Sequence, residues 1–246
     1  MTLPITLIGI DTDPVSRTLT RYALERTREC LDVQEILFFG AEPLHIGERF
    51  VRIERFPSID AYSEFVLKCL WPFIRTDYIM IVHWDGFATR PELWQDRFLD
   101  YDYIGAPWIW GEENRRVGNG GFCIRSKKLL LECADVRVRR HPEIEGGGGA
   151  EDVVICKLYG AHFESRGLRF APIEVAREFA LEYGDERETF GFHGPWVMPL
   201  RLEEAVLLKY QSTLLAKLKN AEVKPHVLAN CRARGYTRFA AALEAA

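Results

Sequence analysis

The residues best suited to chemistry in this chain fall in four short segments of the sequence. They are His83-Trp84-Asp85-Gly86, Gly118-Asn119-Gly120-Gly121, Glu151-Asp152 and Phe192-His193-Gly194. Carboxylates with one imidazole favour Mn²⁺ or Mg²⁺, whereas a structural zinc site would need Cys or several His. A divalent cation in an acidic site suits a substrate that carries a pyrophosphate group. Each segment also has an ordinary structural explanation, since acids favour helix N-termini and a single His is often structural.

The first of these segments follows the apolar residues 79–82. Their sequence, Ile-Met-Ile-Val, predicts a strand that is buried on both faces, and Gly86 ends it. In an open α/β sheet, ligands bind outside the carboxyl ends of the strands, so Asp85 lies where chemistry is expected. The alternative is that Asp85 is a turn residue that caps a helix beginning near Pro91.

The pattern of apolar residues predicts the elements that would position these side chains. Apolar, β-rich runs predict strands at residues 3–10, 35–39, 50–53, 79–82 and 122–125. Helical spacing predicts helices at residues 15–31, 58–73, 126–134, 151–161, 201–218 and 225–246. This alternation is typical of an α/β protein with a mixed, mostly parallel sheet flanked by helices. We expect a catalytic domain over residues 1–200 and a C-terminal helical extension over residues 201–246.

Composition and charge narrow the classes of function. With 246 residues and 48% hydrophobic content, the chain can bury a full core as one large domain or as one domain with an appendage. Its formal net charge of −4 gives no general attraction to nucleic acid or to an acidic membrane surface. No apolar run approaches the ~18 residues of a membrane span, and residues 1–4 lack the basic segment of a secretion signal. The six cysteines contain no C-x-x-C pair, which favours reduced thiols in a cytoplasmic protein.

The order of the motifs resembles that of GT-A glycosyltransferases. An apolar strand ends in x-Asp-x, a Gly-Gly-Phe-x-x-Arg segment follows, Glu-Asp-Val opens a helix, and a His comes last. The Glu-Asp-Val segment and the Cys-x-Leu-x-Gly after it are similar to inverting β-1,3-galactosyl- and N-acetylglucosaminyltransferases. The phrases HWDGF, FLDYDYIGAPW, GNGGFCIRS and FGFHG resemble a family of uncharacterised, mostly microbial glycosyltransferase-like domains. The resemblance covers about residues 5–195 and implies a GT-A-like, Rossmann-related fold.

The resemblance also implies roles for individual residues. Asp85 matches the last acid of the Asp-x-Asp motif that holds a metal on the donor diphosphate, and His83 replaces the first acid of that motif. His193 matches the His that completes the metal shell, with Mn²⁺ or Mg²⁺ as the expected ion. Asp152 matches the acid that deprotonates the acceptor hydroxyl in inverting members. Donor contacts are implied for Asp11, Thr12, His83, Trp84, Asp85, Asn119, Gly120 and Gly121.

Neighbouring residues at a helix N-terminus point about 100° apart, so only one acid of the pair Glu151-Asp152 can face the cleft. Both acids are candidate catalytic residues; the resemblance selects Asp152 as the base and leaves Glu151 to cap the helix or to brace the loop. The glycine run at residues 146–149 would act as a hinge for this loop or simply as a linker. Trp108 and Trp196 offer flat apolar surface for an acceptor sugar, with core packing as the alternative.

The expected function is therefore transfer of a sugar from a nucleotide-sugar donor to a glycan or another hydroxyl acceptor. Two other classes use the same residues: a metal-dependent sugar-nucleotide hydrolase or phosphodiesterase, and a non-catalytic module that binds a sugar or a nucleotide. In the extension, the apolar stripe of Leu202, Val206, Leu214 and Leu218 predicts packing on the catalytic domain or on a second copy in a homo-oligomer.

Overall fold

The computed structural model describes residues 2–110, 117–144, 147–183 and 187–246. The strands are β1 Leu3–Asp11, β2 Val33–Gly40, β3 Arg49–Arg52, β4 Tyr78–Val82, β5 Gly86–Ala88, β6 Tyr103–Gly105, β7 Phe122–Ser126, β8 Ala180–Leu181 and β9 Gly191–His193. The helices are α1 Arg17–Cys30, α2 Ile59–Glu64, α3 Lys127–Cys133, α4 Glu151–Val153, α5 Gly160–Ser165, α6 Ile173–Phe179, α7 Met198–Arg201, α8 Glu204–Lys209, α9 Gln211–Lys217, α10 Lys224–Ala233 and α11 Thr237–Ala245.

The central sheet has six strands in the order β3-β2-β1-β4-β7-β6. Strands β3, β2, β1 and β4 run parallel, whereas β7 is antiparallel to both of its neighbours, β4 and β6. The strands at the centre are buried on both faces, as their continuous apolar sequences require. The predicted class, an α/β protein with a mixed and mostly parallel sheet flanked by helices, is confirmed.

The order of the strands creates a crevice between β1 and β4. From β1 the chain adds β2 and β3 toward one edge of the sheet, and it then returns to place β4 on the other side of β1. At such a switch point the connections leave the carboxyl ends of the two strands in opposite directions, which opens a space for a ligand. The segments after β1 and β4 therefore border this crevice.

A second sheet of three strands, in the order β5-β9-β8, lies beyond the end of β4. A tight turn at Trp84 and Asp85 leads from β4 into β5, closed by hydrogen bonds between His83 and Gly86 of 2.9 and 3.1 Å. Gly86 pairs with His193 of the antiparallel strand β9. The small sheet, which the sequence pattern did not predict, thus carries His193 to the carboxyl end of β4.

The C-terminal segment differs from the prediction, because neither of its two long helices is continuous. Residues 201–218 form the end of α7, then α8 and α9, with breaks at Leu202 and Tyr210, and residues 225–246 form α10 and α11. The ring of Tyr210 packs 5.1 Å from that of Tyr22 on α1. Tertiary packing overrides helix propensity here, because the breaks allow the chain to follow the surface formed by the preceding residues.

The hydrophobic core continues from the central sheet into the C-terminal segment. Leu207, Leu214, Leu218, Val227 and Phe239 are buried and belong to the same apolar cluster as the strands. The extension therefore packs on the rest of this chain, and a domain boundary near residue 200 stays a prediction. Within the described residues, no helix combines the length and the apolar character needed to cross a membrane.

Candidate active site

Three side chains meet at the end of β4 in what we call the imidazole cluster: His83, Asp85 and His193. One potential ligand atom from each lies within 4.8 Å of the others. The sequence had assigned the metal to Asp85 and His193 alone, with His83 as a donor contact. Two imidazoles and one carboxylate are a softer set than the all-oxygen shell that Mg²⁺ prefers, so the residues favour Mn²⁺ or a similar transition metal over Mg²⁺.

Gly121 provides the space in which these side chains converge. A Cβ atom at this position would lie 2.1 Å from Nε2 of His193 and 3.0 Å from Nδ1 of His83. Both ring nitrogens therefore border the volume that a side chain would fill. A Cβ on Gly86 would lie 2.8 Å from Cδ2 of His193, so this glycine is also needed for the close approach. The residues and the space between them fit a divalent cation.

His83 is held in the form that a metal requires. Its Nε2 lies 2.8 Å from the hydroxyl of Tyr62, which leaves Nδ1 directed toward Gly121. Burial lowers the pKa of His83 to about 4 by disfavouring the charged ring, although the charge of Asp85 opposes the shift. The imidazole is consequently neutral at physiological pH, and only a neutral imidazole can ligate a metal.

His193 is oriented by an acid that sequence reasoning missed. Its Nδ1 lies 3.0 Å from Oε1 of Glu182 and 2.6 Å from Nδ2 of Asn119. Burial lowers the pKa of His193, but the hydrogen bond and charge of Glu182, with the charge of Asp85, outweigh it and raise that pKa to about 9. A metal ion bound at Nε2 would therefore displace a proton from this ring. A carboxylate behind the imidazole is the usual partner of a metal-ligating His. No motif marks Glu182 in the sequence. It reaches His193 only because the short strands β8 and β9 pair with each other in the fold.

The second group of acids, which we call the acid pair, consists of Glu151 and Asp152 at the start of α4. Glu151 is buried, and its Oε1 lies 3.0 Å from Nη2 of Arg125, whose side chain is fully buried. Its Oε2 accepts a hydrogen bond from the Ser63 hydroxyl at 3.3 Å. A Cβ atom on Gly120 would lie 2.1 Å from this carboxylate. Glu151 therefore neutralises an interior guanidinium and supports the loop.

Asp152 is bonded differently, because both of its hydrogen bonds come from the backbone. Oδ2 accepts from the N–H of Gly120 at 2.9 Å, and Oδ1 accepts from the N–H of Val153 at 2.8 Å. Burial, and next the negative charge of Glu151, raise the pKa of Asp152 to about 7, while the charge of Arg125 opposes them. A half-buried carboxylate with such a pKa is suited to accept a proton near neutral pH.

Asn119 shapes the loop between the acid pair and the imidazole cluster. It adopts the left-handed backbone conformation, with φ of 67°, which Asn tolerates better than most residues. Its Oδ1 accepts hydrogen bonds from the N–H groups of Gly121 and Phe122 at 2.9 and 3.3 Å. Because it is buried and bonded within the protein, Asn119 positions Gly120 and Gly121 rather than offering a free group to a ligand.

A cavity of about 400 Å³ lies at the carboxyl ends of β1 and β4. Its lining includes Asp11, Thr12, Arg55, Phe56, Trp84 and Lys217. The Asp11 carboxylate accepts hydrogen bonds from Ser16 at 3.0 Å, from the N–H of Asp13 at 2.9 Å, and from Thr20. The hydroxyl of Thr12 accepts a 3.4 Å bond from the Phe56 N–H. Asp11 thus fixes the start of α1 and the wall of the pocket.

The two tryptophans predicted to bind an acceptor have different surroundings. Trp108 is buried and stacks on Trp110 with 4.3 Å between ring centroids, so the exposed aromatic face there belongs to Trp110. Trp196 stacks on Tyr183 at 5.1 Å and lines a second cavity of about 510 Å³. Its indole N–H donates to the backbone oxygen of Glu182 at 2.8 Å, which ties it to the residue behind His193.

The predicted hinge at residues 146–149 lies partly outside the described residues, since Gly146 is not among them. Gly147 has a positive φ of 94°, and the Ala150 N–H donates to its carbonyl at 2.8 Å. A Cβ on Gly148 would lie 2.3 Å from the carbonyl oxygen of His141. Gly147 and Gly148 therefore form a close-packed turn directly before the acid pair.

Solved structures similar to this chain include two glycosyltransferases. One is involved in the glycosylation of the major capsid of PBCV-1, with 12% identity, a TM-score of 0.46 and coverage of 78% of this chain and 92% of that one. The other is GlyE of Streptococcus pneumoniae TIGR4, with 13% identity, a TM-score of 0.46 and coverage of 87% and 62%. HddC from Yersinia pseudotuberculosis matches with 13% identity, a TM-score of 0.34 and coverage of 52% and 78%. These TM-scores lie below 0.5, so no activity is transferred from them.

No curated protein matches the chain. A family model, described as "Protein of unknown function (DUF5672)", matches residues 45–193. That range contains the imidazole cluster, the loop of Asn119, Gly120 and Gly121, and the acid pair. Because the match covers more than half of the chain, this protein belongs to that family.

Proposed function

We propose that this chain is a glycosyltransferase that moves a sugar from a nucleotide-sugar donor to an acceptor hydroxyl, with inversion at the anomeric carbon. The main support for the proposal is that a candidate base adjoins Gly120 and a candidate metal site adjoins the next residue, Gly121. The N–H of Gly120 binds Asp152, and Gly121 adjoins both rings of the imidazole cluster. Sugar transfer needs these functions side by side, because a diphosphate departs as a hydroxyl loses its proton.

The cavity of about 400 Å³ at the carboxyl ends of β1 and β4, which we call the donor pocket, suits the nucleotide part of such a donor. It lies at the switch point between β1 and β4, where open α/β sheets bind ligands. Phe56 and Trp84 supply aromatic surface for a base and ribose, and His83 at the edge of the pocket belongs to the imidazole cluster. The pyrophosphate would accordingly lie between the pocket and the cluster, with Asp11 and Thr12 shaping the wall.

His83, Asp85 and His193 would hold the divalent cation, for which Mn²⁺ is the first choice. When bound, such an ion neutralises charge that develops on the departing diphosphate. Tyr62 and Glu182 act behind the two imidazoles and fix the directions of their rings. The orientations of the two imidazoles are thereby fixed before substrate binds.

Asp152 acts as the general base of the proposed reaction. Its carboxylate takes the proton of the acceptor hydroxyl while the hydroxyl oxygen forms a bond to the anomeric carbon. The bond from that carbon to the diphosphate oxygen breaks, and the electron pair leaves with the nucleoside diphosphate. Attack from the face opposite the leaving group inverts the anomeric configuration. Glu151, engaged with Arg125, raises the basicity of Asp152 without contacting the acceptor.

The acceptor would use aromatic surface near these groups. Trp196 stacks on Tyr183 beside Glu182, and Trp110 presents the exposed ring of its pair with Trp108. Flat aromatic faces suit the apolar faces of sugar rings, which supports a glycan as acceptor. A cytoplasmic location belongs to the same proposal, supported by six cysteines that form no disulfide among the described residues.

The experiment that tests the proposal measures nucleoside diphosphate release from a panel of nucleotide sugars in Mn²⁺. Each donor is incubated with a mixture of mono- and oligosaccharide acceptors and, in parallel, with water alone. We expect release to depend on an acceptor and a new glycoside to appear by mass spectrometry. Equal release in water alone would show a hydrolase instead, and tight donor binding without turnover across the panel would show a binding module.

A further inference from the structure

A lysine of the C-terminal extension reaches into the donor pocket. Lys217, the last residue of α9, is one of the residues that line the cavity. Its Nζ lies 3.0 Å from Oδ2 of Asp13, a residue 204 positions earlier in the sequence. The same ammonium lies 5.4 Å from the centroid of the Trp84 ring, within the range of a cation–π interaction. The extension therefore contributes a positive charge beside the aromatic wall of the pocket.

Packing of α8 and α9 against α1 fixes the point from which this side chain extends. The rings of Tyr210 and Tyr22 are 5.1 Å apart, and the hydroxyls of Thr213 and Thr18 lie 3.4 Å apart. Leu214, one turn before Lys217, is buried. The backbone of Lys217 is thus anchored in the core, while its flexible four-carbon stem allows the ammonium to move within the pocket.

Both acids that line the pocket, Asp11 and Asp13, already accept hydrogen bonds from backbone N–H groups, so neither depends on Lys217 alone. Asp11 accepts hydrogen bonds from the start of α1, and Asp13 accepts one from the Val15 N–H at 3.0 Å in addition to its ion pair with Lys217. Arg55 also lines the pocket, close enough for its positive charge to act on Asp13. Two cations beside aromatic rings suit a nucleotide, because its flat base can stack on the rings and its phosphate groups can pair with the cations.

We infer that Lys217 binds a phosphate group of the nucleoside diphosphate, so that the extension completes the donor site. The ammonium exchanges the carboxylate of Asp13 for a phosphate oxygen when donor binds, and the ring of Trp84 keeps it within the pocket. The inference rests on the proposed function, because it identifies the ligand of the donor pocket as a nucleoside diphosphate. It also explains why α9 ends against the pocket rather than elsewhere on the domain.

The test is titration calorimetry with UDP, GDP, CDP and dTDP, and with the matching nucleosides, in the presence of Mn²⁺. For the diphosphate that binds best, Lys217→Gln should weaken affinity about tenfold or more, since a charge-assisted hydrogen bond is lost. Affinity for the nucleoside should stay the same. Lys217→Arg should restore most of the diphosphate affinity, and Asp13→Asn should leave it equal or higher because a competing carboxylate is gone.

Lys209→Gln is the matched control, because this exposed lysine of α8 lies over the ring of Tyr210 and does not line the pocket. It should bind every ligand as the wild type does. The inference is overturned if Lys217→Gln keeps wild-type affinity for the diphosphate, or if it loses nucleoside affinity to the same extent. A wild-type protein that binds none of the four diphosphates would overturn the proposed function together with this inference.

Discussion

The acid pair and the imidazole cluster lie on either side of two consecutive glycines, and their surroundings differ. Gly120 adjoins Glu151, whereas Gly121 adjoins the rings of His83 and His193. On the first side, the fully buried guanidinium of Arg125 and the buried carboxylate of Glu151 lie beside one half-buried acid, Asp152. On the second side, the three potential ligands are partly exposed, and the two imidazoles are hydrogen-bonded by Tyr62 and Glu182.

The difference shows how one loop can support two kinds of chemistry. Burial beside Glu151 makes Asp152 more basic, which a proton acceptor requires. The imidazole cluster instead holds three potential ligand atoms within 4.8 Å of one another on partly exposed side chains, as an incoming divalent ion requires. If this separation is correct, substitutions on one side should leave the property of the other side intact.

The largest expected effect follows from Asp152→Asn, which keeps the shape of the side chain but removes its basic oxygen. Sugar transfer should fall by ~10²–10⁴-fold, the usual contribution of a general base. Mn²⁺ affinity, measured by calorimetry, should stay within about twofold, because the imidazole cluster is untouched. Transfer at a near wild-type rate would remove Asp152 from the mechanism, and lost metal binding would show that the two sides are not separate.

Glu151→Gln should act on stability more than on turnover. The change leaves the buried Arg125 without its charged partner, which costs about 3–5 kcal/mol of unfolding free energy. Urea denaturation of this variant, with Asp152→Asn as the matched comparison, measures that cost. If Glu151→Gln abolished turnover while the free energy of unfolding stayed at the wild-type value, Glu151 would be the general base and the two roles would be exchanged.

Glu182→Gln tests the role of the imidazole cluster. The amide keeps an acceptor near Nδ1 of His193 but loses the negative charge that orients and strengthens the ligand. Mn²⁺ affinity should drop ~10–100-fold, and turnover should recover at saturating metal. Glu178→Gln is the control, because this acid forms a surface ion pair with Arg97 away from the site. Equal Mn²⁺ affinity in both variants and the wild type would exclude the proposed role of Glu182.

The pH dependence of sugar transfer should come from the acid pair. Asp152 must be deprotonated to act as a base, so kcat/KM should fall about tenfold per pH unit below its pKa of about 7. In Glu151→Gln this acid limb should move to lower pH, since the charge of Glu151 raises the pKa of Asp152. A flat profile between pH 5 and 7, or a limb that does not move, would contradict the assignment.

The parts of the fold and site that the sequence predicted are those with strong local patterns. The run at residues 79–82 became β4, and the helix expected at residues 15–31 is α1. The turn after β4 lies at the switch point, where Asp85 was expected. These features follow from hydrophobic periodicity and from general rules for parallel sheets, which act over short stretches of chain.

The parts of the fold and site that the sequence did not predict depend on contacts between distant segments of the chain. Strands β8 and β9 have two and three residues, too few to show any periodicity, yet they bring Glu182 to His193. The approach of Lys217 to Asp13 joins residues 204 positions apart, and it depends on the helix breaks at Leu202 and Tyr210. No local pattern encodes these contacts, because they arise from packing of the whole chain.

The most direct test of the mechanism is the anomeric configuration of the transfer product. It is read from the coupling constant of the C1 proton by NMR, immediately after transfer from a donor of known configuration. Direct attack by an acceptor that Asp152 has activated places the new bond opposite the departing diphosphate, so the account predicts an inverted product. A product that retains the configuration of the donor would contradict the account, because a single displacement from the face opposite the diphosphate cannot produce it.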